Sequence, residues 1–314
     1  MITPTTESPT MPTDDAEDAA RILERHPDYR VLRRLAQRPL LGQMPEGAKK
    51  AIMLDVEATG TDTSKDEVIE LGMVAFAYTP EGEILGIIDT FSRFSQPSAP
   101  ISAEITALTG IDNAMVDGHA IDDADVDAFV ADADLIIAHH ADYDRRMVER
   151  RWPVFVTKCW ACTMSEIDWK SEGFEGMKLG LLLMQAGFFH DGHRATSDCQ
   201  AGIELLAHPM PVSGRTGMSL LIERARRTRV RISAVSTPFE MKDVLKQRDY
   251  RWTGEDRLPH KSWQKDVLPE EAEAEVAFLR ATVYRGRREP VLGKVSAYER
   301  FSDRVSWMQK GPFC

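Results

Sequence analysis

Cysteine and long apolar runs are scarce in this chain and positive charge is outnumbered by negative, and each of these narrows what it can be. Four cysteines in 314 residues, at positions 159, 162, 199 and 314, are too few and too unevenly spaced for a disulfide framework, which suits a reducing compartment. No stretch is long and apolar enough to cross a bilayer, so no membrane partner is expected. The opening residues, MITPTTESPTMPTDDAEDAA, hold acids and prolines but neither a basic n-region nor an apolar h-region. They read as a disordered tail over 1–20 rather than a signal peptide, and the chain is expected in the cytoplasm. No internal repeat is present.

The net charge of −11 does not suit a polyanion partner until it is divided along the chain. Residues 1–217 hold 19 Lys and Arg against 36 Asp and Glu, whereas residues 218–314 hold 20 against 14. An acidic half that needs cations is thus joined to a basic half able to hold a polyanion. An ordinary solvated surface accounts for so modest a positive excess equally well.

Hydrophobic patterning organises the chain. Residues 21–48, with Ile22, Leu23, Val31, Leu32 and Leu35, read as a helical extension broken around Pro27, its arginines forming a solvated face. From 49 to 208 the segments AIMLDV, EVIELGMVAFAY and ILGIIDTFSRF read as strands, the last two joined by a turn at Pro80 and Gly82 into an antiparallel pair. A helix closed by Gly110, one within 122–132, a strand at LIIA, a helix from Asp142, a strand through VFVTKCWACT and helices ending at Gly187 and Ala207 follow. Strand pairs first and alternation later describe an α/β domain with a mixed five-stranded sheet flanked by helices. Two prolines and two glycines in HPMPVSGRTG mark a linker at 209–217, and 218–314 reads as a small basic α+β module.

Three short runs carry the chemistry. Asp55 and Glu57 end the apolar strand of IMLDVEATGTD, and residues two apart on a strand point to one side. Asp144, in AHHADYDRRMVE, falls in the first turn of a helix after LIIA, at the sheet edge where ligands collect, and Asp142 is expected as that helix's N-cap. His139 suits a loop residue bridging backbone groups. His193 and Asp198, in GHRATSDCQA, are five apart, too far around a helix to share a face, so His193 belongs on the loop before the helix that carries Asp198. Four carboxylates from distant segments suit a pair of divalent cations, and a loop histidine beside a metal-bound water suits a general base.

On LDVEATG, AHHADYD and HRATSDC, supported by VIELGMVAF and ISAEITALTGI, the chain resembles the DEDDh exonucleases over residues 50 to 207. That group includes the epsilon subunit of bacterial DNA polymerase III, ribonuclease T and oligoribonuclease. The resemblance implies a ribonuclease H-like fold, two Mg²⁺ or Mn²⁺ ions and 3′-to-5′ release of nucleoside monophosphates. It implies that Asp55, Glu57 and Asp198 bind one ion, that Asp55 and Asp144 bind the other, and that His193 is the base. Ala58, Thr59, Gly60 and His140 would face the terminal nucleotide. The sequence departs from the family at His140, where asparagine is usual, and at Tyr143, Ala58 and Cys199, none of them a ligand or the base. The partner the resemblance implies is DNA, with single-stranded 3′ ends first, or RNA. Replication or repair proteins are possible associates, and an inactive nucleic-acid-binding subunit is the reading from a different class.

Two further features stand outside those motifs. Cys159 and Cys162 form a Cys-x-x-Cys with no second pair to complete a zinc site. Trp252 and Trp263, interleaved with Arg251, Lys261 and Lys265, suit either a stacking surface for single strands or the core of a small module.

Overall fold

Two alternating sets of apolar side chains along one strand separate the two main cores of residues 49–208. The computed structural model describes residues 13–190, 192, 194–253, 261–302, 304 and 306–308. Its first sheet comprises β1 (Lys49–Ala58), β2 (Val68–Tyr78), β3 (Ile84–Phe94), β4 (Leu135–Ala138) and β5 (Trp160–Cys162), ordered β3-β2-β1-β4-β5. The β1–β2 and β2–β3 pairs are antiparallel and the β1–β4 and β4–β5 pairs parallel, the mixed sheet the sequence predicts. Ile52 and Leu54 face one core with Ile136, Met147, Trp152 and Trp160, while Met53 faces the other with Val74, Phe76, Ile137 and Leu205. All of β2 is buried, as befits a strand covered on both faces.

The helices around this sheet are α1 (Thr13–Glu24), α2 (Ala103–Thr109), α3 (Asp123–Val130), α4 (Ala141–Arg151), α5 (Leu179–Gln185), α6 (Ala195–Ala207) and α7 (Gly217–Ala225). Helix α6 lies against β1 and β2 because two glycines let it approach. A Cβ on Gly72 would come within 2.5 Å of the Ala195 Cβ, and one on Gly202 within 2.3 Å of the Met53 methyl carbon.

Several connections differ from the sequence reading, each for a local reason. Pro153 opens a 3₁₀ turn over Pro153–Thr157, so only Trp160–Cys162 of VFVTKCWACT is strand. Within the expected tail 1–20, helix already begins at Thr13. Past Pro27 the extension forms no second helix; Arg33–Arg34 pairs in parallel with Phe188–Phe189. At 209–217, where the sequence suggests a linker, Pro209 bridges to Thr216 and Met210 is buried. Thr216 caps α7, whose Met218, Leu221, Ile222 and Ala225 join the core beneath α6.

The C-terminal module has a second sheet. Its elements are β6 (Arg229–Val235), α8 (Lys242–Gln247), β7 (Arg251–Trp252), β8 (Ser262–Val267), α9 (Pro269–Phe278), β9 (Val291–Val295) and β10 (Ser306–Met308). The strand order is β10-β9-β6-β8-β7, antiparallel throughout. β7 and β8 pair antiparallel, and Pro269 opens α9 with a capping interaction from Glu271. The segment after β9 turns back onto the first sheet, where the Trp160 amide donates to the Ala297 carbonyl at 2.9 Å. Arg300, 2% exposed, pairs with buried Glu166 at 2.5 Å.

Candidate active site

Four carboxylates converge where the ends of β1, α4 and α6 meet. Asp55 and Glu57 occupy alternate positions near the end of β1 and point to one side. Strand β4 runs parallel beside β1, with Ile52 opposite Ile136 and Met53 opposite Ile137, and delivers the chain to α4, whose first turn carries Asp144. Asp198 stands in the first turn of α6. One carboxylate oxygen from each of Asp55, Glu57 and Asp198 lies within 4.8 Å of the others, a metal-competent group. Asp144 stands outside that threesome, 2% exposed, and its Oδ2 is buried with no hydrogen-bond partner among the described residues.

Burial and mutual repulsion make these groups poor anions on their own. Burial, reinforced by Asp144, Asp198, Glu57 and Glu70, holds Asp55 well above the usual carboxylate range. Burial with Asp198 and Glu70 pushes Glu57 up to about 7, Arg194 working against them. Asp144 is pushed up to about 8 by burial, opposed by backbone groups at Val56, Asp144 and His140. Such a pocket gains from a cation. All four donors are hard oxygens and one buried oxygen lacks a partner, which fits Mg²⁺ or Mn²⁺.

The residues around the acids fix them in place. His190 Nε2 lies 2.8 Å from Asp198 Oδ1, and the Arg194 amide donates to Asp198 Oδ2 at 3.2 Å. Sequence reasoning passed over His190, although FHDGH contains both histidines; His193 itself lies outside the described residues. Glu70 was also missed. It is fully buried, stands opposite Glu57 across the β1–β2 ladder, and accepts from the Arg194 guanidinium at 3.3 Å and the Ala195 amide at 3.4 Å. Its signal was an acid inside a strand with no other charge, VIELGMVAFAY.

Asp142 is not the N-cap of α4. His140 holds that position without a side-chain capping bond, the Tyr143 and Asp144 amides both donating to its carbonyl. Helix thus starts before Asp142, which accepts instead from Arg146 at 2.6 Å, one turn on. The His140 ring is exposed and stacks near Tyr143, with centroids 6.0 Å apart. His139 bridges one backbone group, not two: Nε2 lies 2.7 Å from the Met177 carbonyl and Nδ1 2.7 Å from the side-chain Thr163 Oγ1, and burial draws its pKa down. The loop after β1 is fastened: Ala58 is buried, Thr59 Oγ1 donates to Asp66 at 3.2 Å, and the Tyr143 hydroxyl donates to the Gly60 carbonyl at 2.7 Å.

In the C-terminal module, Trp252 is exposed and its ring centroid is 5.7 Å from that of half-buried Trp263. Arg251 and Lys261 are exposed, whereas Lys265 is turned inward, 3.7 Å from Glu275. Cys162 is buried, its thiol pushed up by burial and donating to the His139 carbonyl at 3.3 Å, while Cys159 is half-buried; both are free thiols.

Residues 52–206 match the exonuclease family RNase_T. Over 160 residues the chain is 28% identical to a PolC-type DNA polymerase III of Caldanaerobacter subterraneus subsp. tengcongensis, spanning 49% of this chain and 11% of the polymerase. Over 96 residues it is 38% identical to the PolC-type enzyme of Bacillus subtilis, spanning 30% and 6%. The chain therefore corresponds to a small fraction of these relatives' length. Among solved structures it is similar to exonuclease X in complex with 5′ overhanging duplex DNA, at 24% identity and a TM-score of 0.42 over 55% of this chain and 97% of the other. It is also similar to the zinc-bound E. coli exonuclease I complex with single-stranded DNA, at 13% identity and a TM-score of 0.46 over 74% and 67%. Residues 52–206 belong to the exonuclease family as a DEDD-type domain related to the epsilon subunit of DNA polymerase III.

Proposed function

We propose that this protein is a metal-dependent 3′-to-5′ exonuclease that shortens DNA from its 3′ end and releases nucleoside monophosphates. The observation that carries the reading is the convergence of Asp55, Glu57 and Asp198 within 4.8 Å, with the buried Asp144 Oδ2 lacking a hydrogen-bond partner among the described residues. Asp55, Glu57 and Asp198 would hold one Mg²⁺ or Mn²⁺, and Asp55 with Asp144 the other. When bound, the pair neutralises charge on the attacking and departing oxygens. His193 is assigned the proton of the attacking water; as the new P–O bond forms, the bond to the 3′ oxygen breaks and the monophosphate leaves. His190 orients Asp198, and Glu70 with Arg194 fixes the turn into α6. Ala58, Thr59, Gly60 and His140 are assigned to the terminal nucleotide. The polymerase relatives support a place in replication or repair.

Digestion of 5′-labelled single-stranded DNA and a matched RNA, with Mg²⁺ or Mn²⁺ and with EDTA, tests the proposal. A metal-dependent ladder shortening from the 3′ end of DNA, absent in Asp144→Asn, is the expected result. Faster loss of the RNA would transfer the substrate to RNA, since the 2′-hydroxyl is the discriminating group. Internal cuts, or full activity in the variant, would overturn the reading.

A further inference from the structure

We propose that the C-terminal module carries a track for single-stranded nucleic acid, built from Phe239, Lys242, Lys246, Trp263 and Trp252. The proposal rests on the nuclease reading for its biological sense and on separate residues for its evidence. β7 is the edge of the second sheet, and its Trp252 pairs directly with Trp263 of β8, so both side chains leave the same face. Their ring centroids are 5.7 Å apart, and Trp252 is 52% exposed.

The row continues onto α8. Lys246 Nζ lies 6.0 Å from the Trp263 ring centroid. Lys242 sits one turn earlier on that helix, with its Nζ 4.3 Å from the centroid of Phe239, which is 75% exposed. Aromatic ring, ammonium, ammonium, aromatic pair is therefore the order along one continuous face.

Charge selects the occupant. Several of the module's arginines are neutralised internally, Arg231 by Asp266 at 2.7 Å, Arg248 by Glu275 at 2.8 Å and Arg280 by Glu289 at 2.6 Å. Lys242 and Lys246 pair with no carboxylate among the described residues; each is set against an aromatic ring instead. Ammonium groups between exposed rings suit a chain that alternates phosphates with flat bases, and a single strand offers its bases for stacking where a duplex hides them. The segment sits in the basic part of the sequence, residues 218–314, with 20 Lys and Arg against 14 acids.

The test is binding by the full chain in EDTA, read by fluorescence anisotropy on labelled oligothymidylate, oligouridylate and a duplex, each about 15 nucleotides long. Trp252→Ala, Phe239→Ala and the double variant Lys242→Gln/Lys246→Gln are compared with wild type, with thermal unfolding confirming that these surface changes leave the fold intact. Expected is tighter binding of a single strand than of duplex, about tenfold weaker in each aromatic variant, and a shallower salt dependence in the lysine variant, by about 1.4 in logarithmic slope. The two single-stranded arms decide between DNA and RNA as the source of the strand. Equal binding by wild type and variants, preference for duplex, or no binding of either single strand overturns the track. Cleavage is followed in parallel with Mg²⁺. Wild-type digestion with unchanged binding in the variants sinks the track alone, whereas impaired binding in the variants without any wild-type digestion sinks the nuclease reading alone.

Discussion

The buried guanidinium of Arg145 donates to the backbone carbonyl of Arg300 at 2.5 Å, tying the residue next to Asp144 to the far C-terminal segment. A second donor reaches the Tyr298 carbonyl at 2.5 Å and a third reaches Glu149 at 2.7 Å. Arg145→Met keeps most of the volume but leaves the buried Arg300 carbonyl without its donor, while Arg304 still donates to Glu149 and to the Tyr298 carbonyl, and should cost about 1–3 kcal/mol. Helix α4 would then be held less firmly at Asp144. A fall in urea midpoint together with a several-fold fall in kcat is expected; wild-type values of both would show that this contact supports neither the fold nor the site.

Neutralising one member of the acidic pocket should have opposite effects on activity and stability. Asp144→Asn removes a buried charge that raises Asp55. The metal-free variant should therefore melt higher than wild type at pH 8, while losing on the order of 10³ in kcat. Calorimetry in EDTA checks the first half, and a lower melting temperature would contradict the repulsion assigned to the pocket.

Stability should also depend on pH in a metal-sensitive way. Glu57 titrates at about 7 in the folded protein against 4.5 ordinarily, and Asp144 at about 8 against 3.8. Raised folded values mean that the native state retains protons the unfolded chain has released. The stability contributed by these protons is full below the ordinary carboxylate range and is lost as pH rises through 7 and 8. Urea midpoints at pH 5 and pH 8.5 should thus diverge in EDTA and draw together in saturating Mg²⁺; the same pH slope in both media would refute the linkage.

The two loop histidines should separate kinetically. His193→Ala is expected to lower kcat by roughly 10²–10⁴, the usual contribution of a general base. His190→Ala removes the 2.8 Å contact to Asp198 and should weaken Mg²⁺ activation about 10- to 100-fold with a smaller change in kcat. The reverse pattern would transfer the base to His190.

Gly72→Ala probes how closely α6 must approach. The added methyl would meet Ala195 Cβ at 2.5 Å and the Thr196 amide nitrogen at 2.7 Å. Overpacking of this kind costs about 1–3 kcal/mol. The start of α6 should be forced off the sheet, with Asp198 carried along, so activity should fall beyond what the thermal shift explains; a fully active variant would show that the site tolerates the displacement.

Much of the catalytic half was legible because its signals are local. The apolar run of AIMLDV, the Pro80–Gly82 turn and the glycine after α2 each specify geometry within a few residues. The carboxylates were readable for the same reason, since each lies at a recognisable end of a strand or helix. What escaped depends on partners remote in sequence. Nothing near Arg33 reveals that it will pair beside Phe188, and nothing near Met218 reveals that α7 will cover Leu205 and Leu206. Glu70 was hidden because the Arg194 that satisfies it lies on another element. Asp142 was misassigned because an aspartate near a helix start is equally suited to a cap or to a pair one turn on.

The short ladder between Arg33–Arg34 and Phe188–Phe189 bears on the order in which the protein assembles. A ribosome releases the first partner long before the second, so the extension waits through synthesis of the whole first sheet before it can close. Contacts of such wide sequence separation form late and slowly, after the local hairpin of β2 and β3 has already condensed. Closure fixes Phe188 and Phe189 immediately ahead of His190, so the histidine loop acquires its upstream anchor only when the earliest-made part of the chain returns to it. A chain clipped ahead of Arg33 would then keep its finished first sheet but lose the anchor upstream of His190.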